Sequence, residues 1–192
     1  MRIRDDKKIA AITQAVFAIN SSEGISNLSI GKIAKAAGVS PATVYIYYAD
    51  KTDMLAQIYL EVKRMMDAGL VDELNALDSM HEKFVAMVAH FAHRTIEHPL
   101  EAKFMNAVFA NPALITPEAA KIANEMAAPI FQTWEMARQA GLLRFDDMHI
   151  TAALAMAPTN YYIDEALREN REVNAAQLQQ LIEASVNAVL VD

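Results

Sequence analysis

The chain has 192 residues, of which 54% are hydrophobic, so it can bury a sizeable core. Glycine and proline are scarce and cysteine is absent, which favours helices and excludes disulfides, thiol nucleophiles and thiolate metal sites. The formal net charge of −7 excludes a chain that is basic throughout, so any nucleic-acid-binding surface must be local.

Charge divides unevenly along the chain. Residues 1–51 hold seven basic and four acidic side chains, a net charge of +3, and the remainder has a net charge of −10. Phosphate binding needs a positive face, which only the N-terminal segment offers, and we expect such binding to weaken with salt. Its basic residues are Arg2, Arg4, Lys7, Lys8, Lys32, Lys35 and Lys51.

The N-terminus is charged and lacks the apolar core of a signal peptide. No apolar stretch is long enough to span a bilayer. We therefore expect a cytoplasmic protein with no membrane association.

Residues 28–53 predict two short helices joined by a tight turn. Ser29 can cap the first helix, and Gly38 can end it in the left-handed conformation. Ser40 and Pro41 then restart a helix at once, as N-cap and first helical residue. This spacing is typical of a helix-turn-helix that presents its second helix to DNA. The apolar stripe of the first helix is Leu28, Ile30, Ile33, Ala34 and Ala37.

The second short helix carries small residues first and tyrosines later. Ala42 allows the backbone to approach base edges, and hydroxyls and lysines nearby suit phosphate oxygens. We predict that Tyr45 and Tyr47 face DNA and that Tyr48 packs against its own domain. The alternative for all three tyrosines is ordinary aromatic packing.

This segment resembles the TetR/AcrR-type one-component transcriptional regulators. The shared run includes Ile33-Ala34, Ala37-Gly38-Val39-Ser40, Thr43-Val44-Tyr45, Tyr47-Tyr48 and Asp50-Lys51, and the resemblance covers roughly the first 60 residues. Two positions depart from the family: Ala49 replaces a frequent lysine, and Gly31 replaces an arginine that some members use. The resemblance implies base-facing positions at Pro41, Ala42 and Tyr45 and phosphate contacts at Ser29, Thr43, Tyr47 and Lys51; we add Lys32 and Ser40 as DNA-binding candidates.

The rest of the chain predicts further helices with no linker between them. We predict an all-α fold of about nine helices: a small three-helix DNA-binding domain over residues 1–50 and a larger effector-binding and dimerisation domain over 51–192. Two of the helices are predicted to be long, at 51–77 and 116–141. Pro129 and Pro158 are expected inside helices.

Catalytic motifs are missing from the sequence, and we expect neither enzyme activity nor a cofactor. His90, His93 and Glu97 share one helix face and are the only group that suggests a metal. A polar helix face is the simpler interpretation, and we predict no metal site.

The larger domain offers apolar bulk that could enclose a small, largely apolar effector. The alternative is that these residues only fill the core. The candidates are Met66, Phe84, Met87, His90, Phe91, Phe104, Met105, Phe109, Phe131, Trp134, Met156, Asn160 and Tyr161.

The C-terminal helices favour a homodimer. An alanine-rich segment allows close helix approach, and the last helix carries an apolar stripe. Paired reading helices must also match half-sites roughly 34–36 Å apart, which a two-fold dimer achieves. The alternative is that the stripe packs within its own subunit. The candidates are Ala153, Ala157, Leu178, Leu181, Ile182, Ser185 and Val189.

Together these features predict a ligand-responsive repressor that a small effector releases from a palindromic operator in double-stranded DNA. One alternative is a regulator of the same fold without a small-molecule inducer. Another is a helical carrier or enzyme whose DNA-binding module is vestigial.

Overall fold

The computed structural model of the protein describes residues 5–191, so Arg2 and Arg4 of the basic N-terminal segment lie outside the described residues. Within this range the chain is all-α, as predicted, with an isolated bridge between Leu143 and Leu190 and no β-strand. Two 3₁₀ turns occur at Ile25–Asn27 and Pro112–Leu114. The helices are α1 (Asp6–Glu23), α2 (Ile30–Ala36), α3 (Pro41–Tyr47), α4 (Lys51–Asp67), α5 (Leu70–Asn75), α6 (Met80–Glu97), α7 (Pro99–Phe109), α8 (Pro117–Met126), α9 (Ala128–Gln139), α10 (Met148–Arg168) and α11 (Ala175–Val189).

The predicted helix over residues 51–77 was wrong in its extent, because the chain breaks between α4 and α5. Gly69 has φ +89°, a left-handed conformation that an unbroken helix does not contain. A glycine costs only about 1 kcal/mol inside a helix, so the apolar spacing continued past it and hid the break.

The predicted helix over residues 116–141 was also wrong, because it is divided into α8 and α9. Pro129 is therefore not inside a helix but at the start of α9, where it needs no backbone donor. Pro158 does lie inside α10, as predicted. These two breaks account for the difference between about nine predicted helices and the eleven in residues 5–191.

The helix starts follow local capping rules. Ser79 and Glu82 form a reciprocal capping box at the start of α6, in which each side chain accepts a hydrogen bond from the other residue's backbone N–H. Asp147 and Asn174 cap α10 and α11. Pro99 takes the first position of α7.

The chain divides into two compact units. The first takes in the described chain through Met65 together with Pro99–Glu125, and the second takes in Met66–His98 together with the chain from Met126. The predicted boundary at residue 50 stays a prediction. In the first unit α1 packs against α2 and α7, and the Phe17 and Phe104 rings lie 5.4 Å apart.

The core of the second unit is formed largely by α6, α10 and α11. The Phe84 and Trp134 rings lie 5.4 Å apart, and the Trp134 indole N–H donates to the Met87 sulfur at 3.0 Å. Fully buried Ile163, Ile182 and Val186 complete this cluster.

Three helices receive a hydrogen-bond donor at their C-terminal end from a distant basic side chain. The last carbonyl groups of a helix lack backbone partners, and a cation there also interacts favourably with the helix dipole. Neither α1 nor α11 has a basic residue in its own last turn. The pairs are Lys103 with the Ser21 carbonyl in the last turn of α1, Arg94 with the Ala68 carbonyl directly after α4, and Arg144 with the Leu190 carbonyl directly after α11, each at 2.9 Å.

Over residues 5–191 no helix is both long enough and apolar enough to cross a lipid bilayer.

Candidate nucleic-acid interface

Helices α2 and α3 form the predicted helix-turn-helix. The Ser29 hydroxyl accepts from the Lys32 N–H at 3.3 Å, and Gly38 ends the first helix with φ +68°. The Val39 N–H then returns to the Ala34 carbonyl at 2.9 Å, which closes the turn. The Ser40 hydroxyl accepts from the Thr43 N–H at 3.1 Å and starts α3.

Helix α3 has a buried side and an exposed side. Val44 is fully buried and Tyr48, just after the helix, is 4% exposed, so Tyr48 packs inside the domain as predicted. Tyr45 is 56% exposed. Because Pro41 and Ala42 are also exposed, the outer side of α3 begins with small residues and ends with an aromatic one.

The nine predicted DNA-binding residues all lie on or beside this module. Ser29, Lys32, Ser40, Pro41, Ala42 and Tyr45 are exposed, whereas Thr43, Tyr47 and Lys51 are half-buried. The Ser40 and Thr43 hydroxyl oxygens lie 3.0 Å apart, and Lys32 is paired with Glu23 at 2.7 Å. That ion pair is solvent-exposed, so a phosphate could displace Glu23 at small cost.

Sequence reasoning did not select Ile46 as a site residue. Its side chain is 47% exposed, although isoleucine normally favours burial. An apolar side chain in this position suits the methyl group of thymine. The sequence signal that could have indicated its exposure was its position next to Tyr45 and two residues after the buried Val44.

The start of α4 is held by two carboxylates. Asp50 accepts from the Asp53 N–H at 2.9 Å, and Asp53 accepts from the Ala49 N–H at 2.8 Å. This resembles a capping box in which the Asp53 side chain reaches one residue further back than usual. The two bonds order the short connection after α3 and set the position of Lys51.

The structure distributes the effector candidates over different environments. Phe84, Met87 and Trp134 pack against one another in the core of the second unit, and Phe104 is buried in the first. Among the others, Met66 and His90 are buried, Phe91, Met105, Met156 and Asn160 are half-buried, and Phe109, Phe131 and Tyr161 are exposed.

Two open clefts lie in the second unit. The smaller, about 200 Å³, has an apolar floor that includes Ile96 and Ile182. The larger, about 370 Å³, is lined by polar side chains that include Glu73, His90 and Arg94. Of the predicted effector residues, only His90 borders either cleft.

The dimer candidates also lie in different environments. Leu178, Ile182, Ser185 and Val189 are buried within the chain itself, where α11 packs against α6 and α10. Ala153 and Ala157 are exposed on α10, and Leu181 is half-buried. The exposed side of α10 also carries Ile150, Leu154 and Tyr161, which sequence reasoning did not select for an interface.

The suggested histidine cluster does not form a metal site. His90 is engaged with Glu73 and with the Met66 carbonyl. Within residues 5–191, no three histidine, aspartate or glutamate side chains are placed to hold one ion.

Comparison with known proteins gives a family match for part of the chain and a structural match over its full length. Residues 12–58 match the family model of bacterial regulatory proteins of the tetR family. Over the full length, the fold is similar to the crystal structure of a TetR family transcription regulator from Marinobacter aquaeolei VT8, with TM-score 0.84, 26% identity and 100% of each chain covered.

Two curated relatives match shorter segments. The HTH-type transcriptional regulator AcrR of Shigella flexneri is 44% identical over 39 residues, which is 20% of this chain and 18% of that protein. The Fatty acid metabolism regulator protein of Bacillus subtilis (strain 168) is 26% identical over 94 residues, 48% of this chain and 48% of that protein. The match therefore spans half or less of either relative.

Proposed function

We propose, from the match of residues 12–58 to the tetR family model and from the similarity of the fold to a TetR family regulator, that this chain is a sequence-specific DNA-binding repressor of that family. A palindromic operator is its target, and a small, largely apolar effector releases it. It acts in the cytoplasm, where that DNA is found.

The exposed side of α3 is the observation that carries the proposal. Pro41, Ala42 and Tyr45 are exposed, although Val44 and Tyr48 anchor the same helix in the core. A helix surface that begins with small residues and ends with an exposed tyrosine fits the major groove. There the tyrosine reaches base edges and thymine methyl groups. Lys51 and the capping serines around it supply donors for phosphate oxygens.

A two-fold dimer follows from the operator's symmetry. The exposed apolar side of α10 supports it, since Ile150, Leu154 and Tyr161 lie at helical spacing with the small residues Ala153 and Ala157. Small residues allow two helices to approach closely, and the larger ones bury apolar area. The buried residues of α11 would act indirectly, by holding α10 in place.

The effector is best supported as an apolar chain with a polar end. The Bacillus subtilis relative is named a regulator of fatty acid metabolism, which makes a medium-chain fatty acid a reasonable first probe. Met66, Met87 and Met156 belong to the second unit, and methionine side chains adapt their shape readily. Binding there would shift α4 between two positions and so lower DNA affinity.

Selection of genomic DNA fragments by the purified protein tests the proposal. We expect enrichment of a palindromic site by the wild type and its loss in Tyr45→Ala and Lys51→Ala. Phe131→Ala and Lys121→Ala are matched controls, because both side chains are exposed outside the helix-turn-helix. Absence of enrichment at low salt, after unfolding and refolding to remove a bound ligand, would favour a carrier with a vestigial module.

Titration of decanoate into the complex with the selected site then tests release. Lower operator affinity with decanoate, but not with butyrate, supports an apolar effector. Unchanged affinity with a series of apolar probes would favour the regulator without a small-molecule inducer.

A further inference from the structure

Glu23 and Lys32 form an ion pair that joins the end of α1 to the first turn of α2. Lys32 Nζ lies 2.7 Å from Glu23 Oε2, and the two side chains are 49% and 47% exposed. An ion pair between two exposed and flexible side chains contributes at most about 1 kcal/mol to stability. The buried residues Ile33 and Ala34 anchor α2 in the domain instead. The ion pair can therefore open without disturbing the fold.

The backbone on each side of this ion pair is held by other hydrogen bonds. The Glu23 carbonyl oxygen accepts from the Asn27 side-chain amide at 2.7 Å, and the Lys32 N–H donates to the Ser29 hydroxyl at 3.3 Å. Neither bond involves the Lys32 ammonium or the Glu23 carboxylate. Because the lysine stem is long and flexible, the ammonium can leave Glu23 for another anion while α2 stays in place.

Glu23 directly precedes a segment without acidic residues. Residues 24–49 contain no aspartate or glutamate and two lysines, Lys32 and Lys35, both exposed on α2. The lysines are three positions apart, so they lie close together on the helix surface. In a helix-turn-helix the first helix crosses the DNA backbone, which places these lysines to meet phosphate groups. In the protein without DNA, Glu23 neutralises one of these two positive charges.

We propose that Glu23 is a positioning residue that sets the DNA affinity of the helix-turn-helix through Lys32. In the free protein the Glu23 carboxylate holds the Lys32 ammonium, and on binding a DNA phosphate oxygen takes the place of that carboxylate. Part of the free energy of phosphate binding is used to break the ion pair, so the affinity is lower than Lys32 alone would give. The inference rests on the proposed function, since it requires that α2 and α3 bind DNA.

A double-mutant cycle on Glu23 and Lys32 tests this exchange, because it isolates the coupling between two residues that are replaced singly and together. The probe is a fluorescently labelled DNA duplex of random sequence, so no operator is needed. Fluorescence anisotropy measures its binding to the wild type, Glu23→Gln, Lys32→Met and the double variant at several salt concentrations. Circular dichroism identifies a variant that fails to fold, in which case Lys32→Gln takes the place of Lys32→Met.

We expect Glu23→Gln to bind the duplex about two- to fivefold more tightly than the wild type, because an exposed ion pair no longer has to be broken. Lys32→Met should bind more weakly, and the slope of its affinity against salt should be smaller by about one, since one phosphate contact is lost. In the Lys32→Met background, Glu23→Gln should change the affinity very little.

Glu125→Gln and Lys121→Met are the matched controls, because they make the same charge changes in an exposed ion pair of α8, outside the helix-turn-helix. We expect both to bind the duplex like the wild type.

An equal effect of Glu23→Gln with and without Lys32 would overturn the exchange, because Glu23 would then only repel DNA from a distance. An unchanged salt slope in Lys32→Met would overturn it too. If the wild type binds DNA and shows no coupling, the exchange alone is rejected. If the wild type binds no DNA even at low salt, the proposed function is rejected and the exchange with it.

Discussion

Lys103 of α7 donates a hydrogen bond to the main-chain carbonyl oxygen of Ser21, at the C-terminal end of α1, across 2.9 Å. The two residues are 82 positions apart but belong to the same compact unit. The same pair of helices is joined by the contact of Phe17 with Phe104. Helix α7 therefore helps to build the unit that contains the helix-turn-helix.

Replacing Lys103 with methionine removes this donor but keeps a long apolar stem. We expect the free energy of unfolding to fall by about 1 kcal/mol, since a charged donor at a helix C-terminus is lost. Urea denaturation measures it. Lys121→Met is the control, because the Lys121–Glu125 pair is exposed on both sides and contributes little. Equal losses of stability in both variants would contradict a stabilising role for the hydrogen bond from Lys103 to Ser21.

Two glycines of the helix-turn-helix predict opposite responses to alanine. Gly38 has φ +68°, where alanine costs about 1 kcal/mol or more of stability. Gly31 lies in α2 with open space around the place of a side chain, so alanine there should stabilise by up to about 1 kcal/mol. Thermal unfolding compares them, and stabilisation by Gly38→Ala would contradict the turn geometry.

Charge on the exposed side of α10 should separate the proposed dimer. Leu154 is 37% exposed, and Leu154→Arg places one cation from each subunit in the interface. Sedimentation velocity should then show a monomer with unchanged helix content. Met136→Arg adds the same charge at an exposed apolar position of α9, and we expect it to remain dimeric. A Leu154→Arg variant that remains dimeric would contradict an interface on this side of α10.

Acid should weaken α9 through Glu135. Hydrogen bonds from Arg138 and Gln139 lower the pKa of this carboxyl from 4.5 to about 2. A lowered pKa in the folded state stabilises the protein above the unfolded value and loses that contribution as pH falls from 4.5 towards 2. Glu135→Gln should therefore be less stable than the wild type at pH 6, with the difference disappearing near pH 2. The effect should be small, because the pair is exposed.

Local chemistry in the sequence predicted the starts of α2 and α3 and the turn between them. Ser29 and Ser40 cap the helices they were expected to cap, because a cap is decided by residues within three positions. The burial of Tyr48 followed from the same short-range reasoning.

Long-range contacts decided what the sequence could not predict. The break at Gly69 is accompanied by donors from His90 and Arg94, which are more than twenty positions away. Likewise, the apolar stripe of α11 is compatible with an interface or a core, and only the packing of α6 and α10 shows that four of its candidates are buried within the chain. Exposed Ile46 was missed because an apolar residue on a short helix suggests burial.

Fluorescence anisotropy tests most directly whether α3 reads the operator. Binding of the selected palindromic duplex and of a scrambled duplex is measured over a range of salt concentrations. The proteins compared are the wild type, Tyr45→Ala and Phe131→Ala. We expect the wild type and Phe131→Ala to prefer the palindrome and to bind it more weakly as the salt concentration rises. Tyr45→Ala should lose the preference while keeping a similar salt dependence, because base contacts specify and phosphate contacts position. An unchanged preference in Tyr45→Ala would contradict α3 as the reading helix.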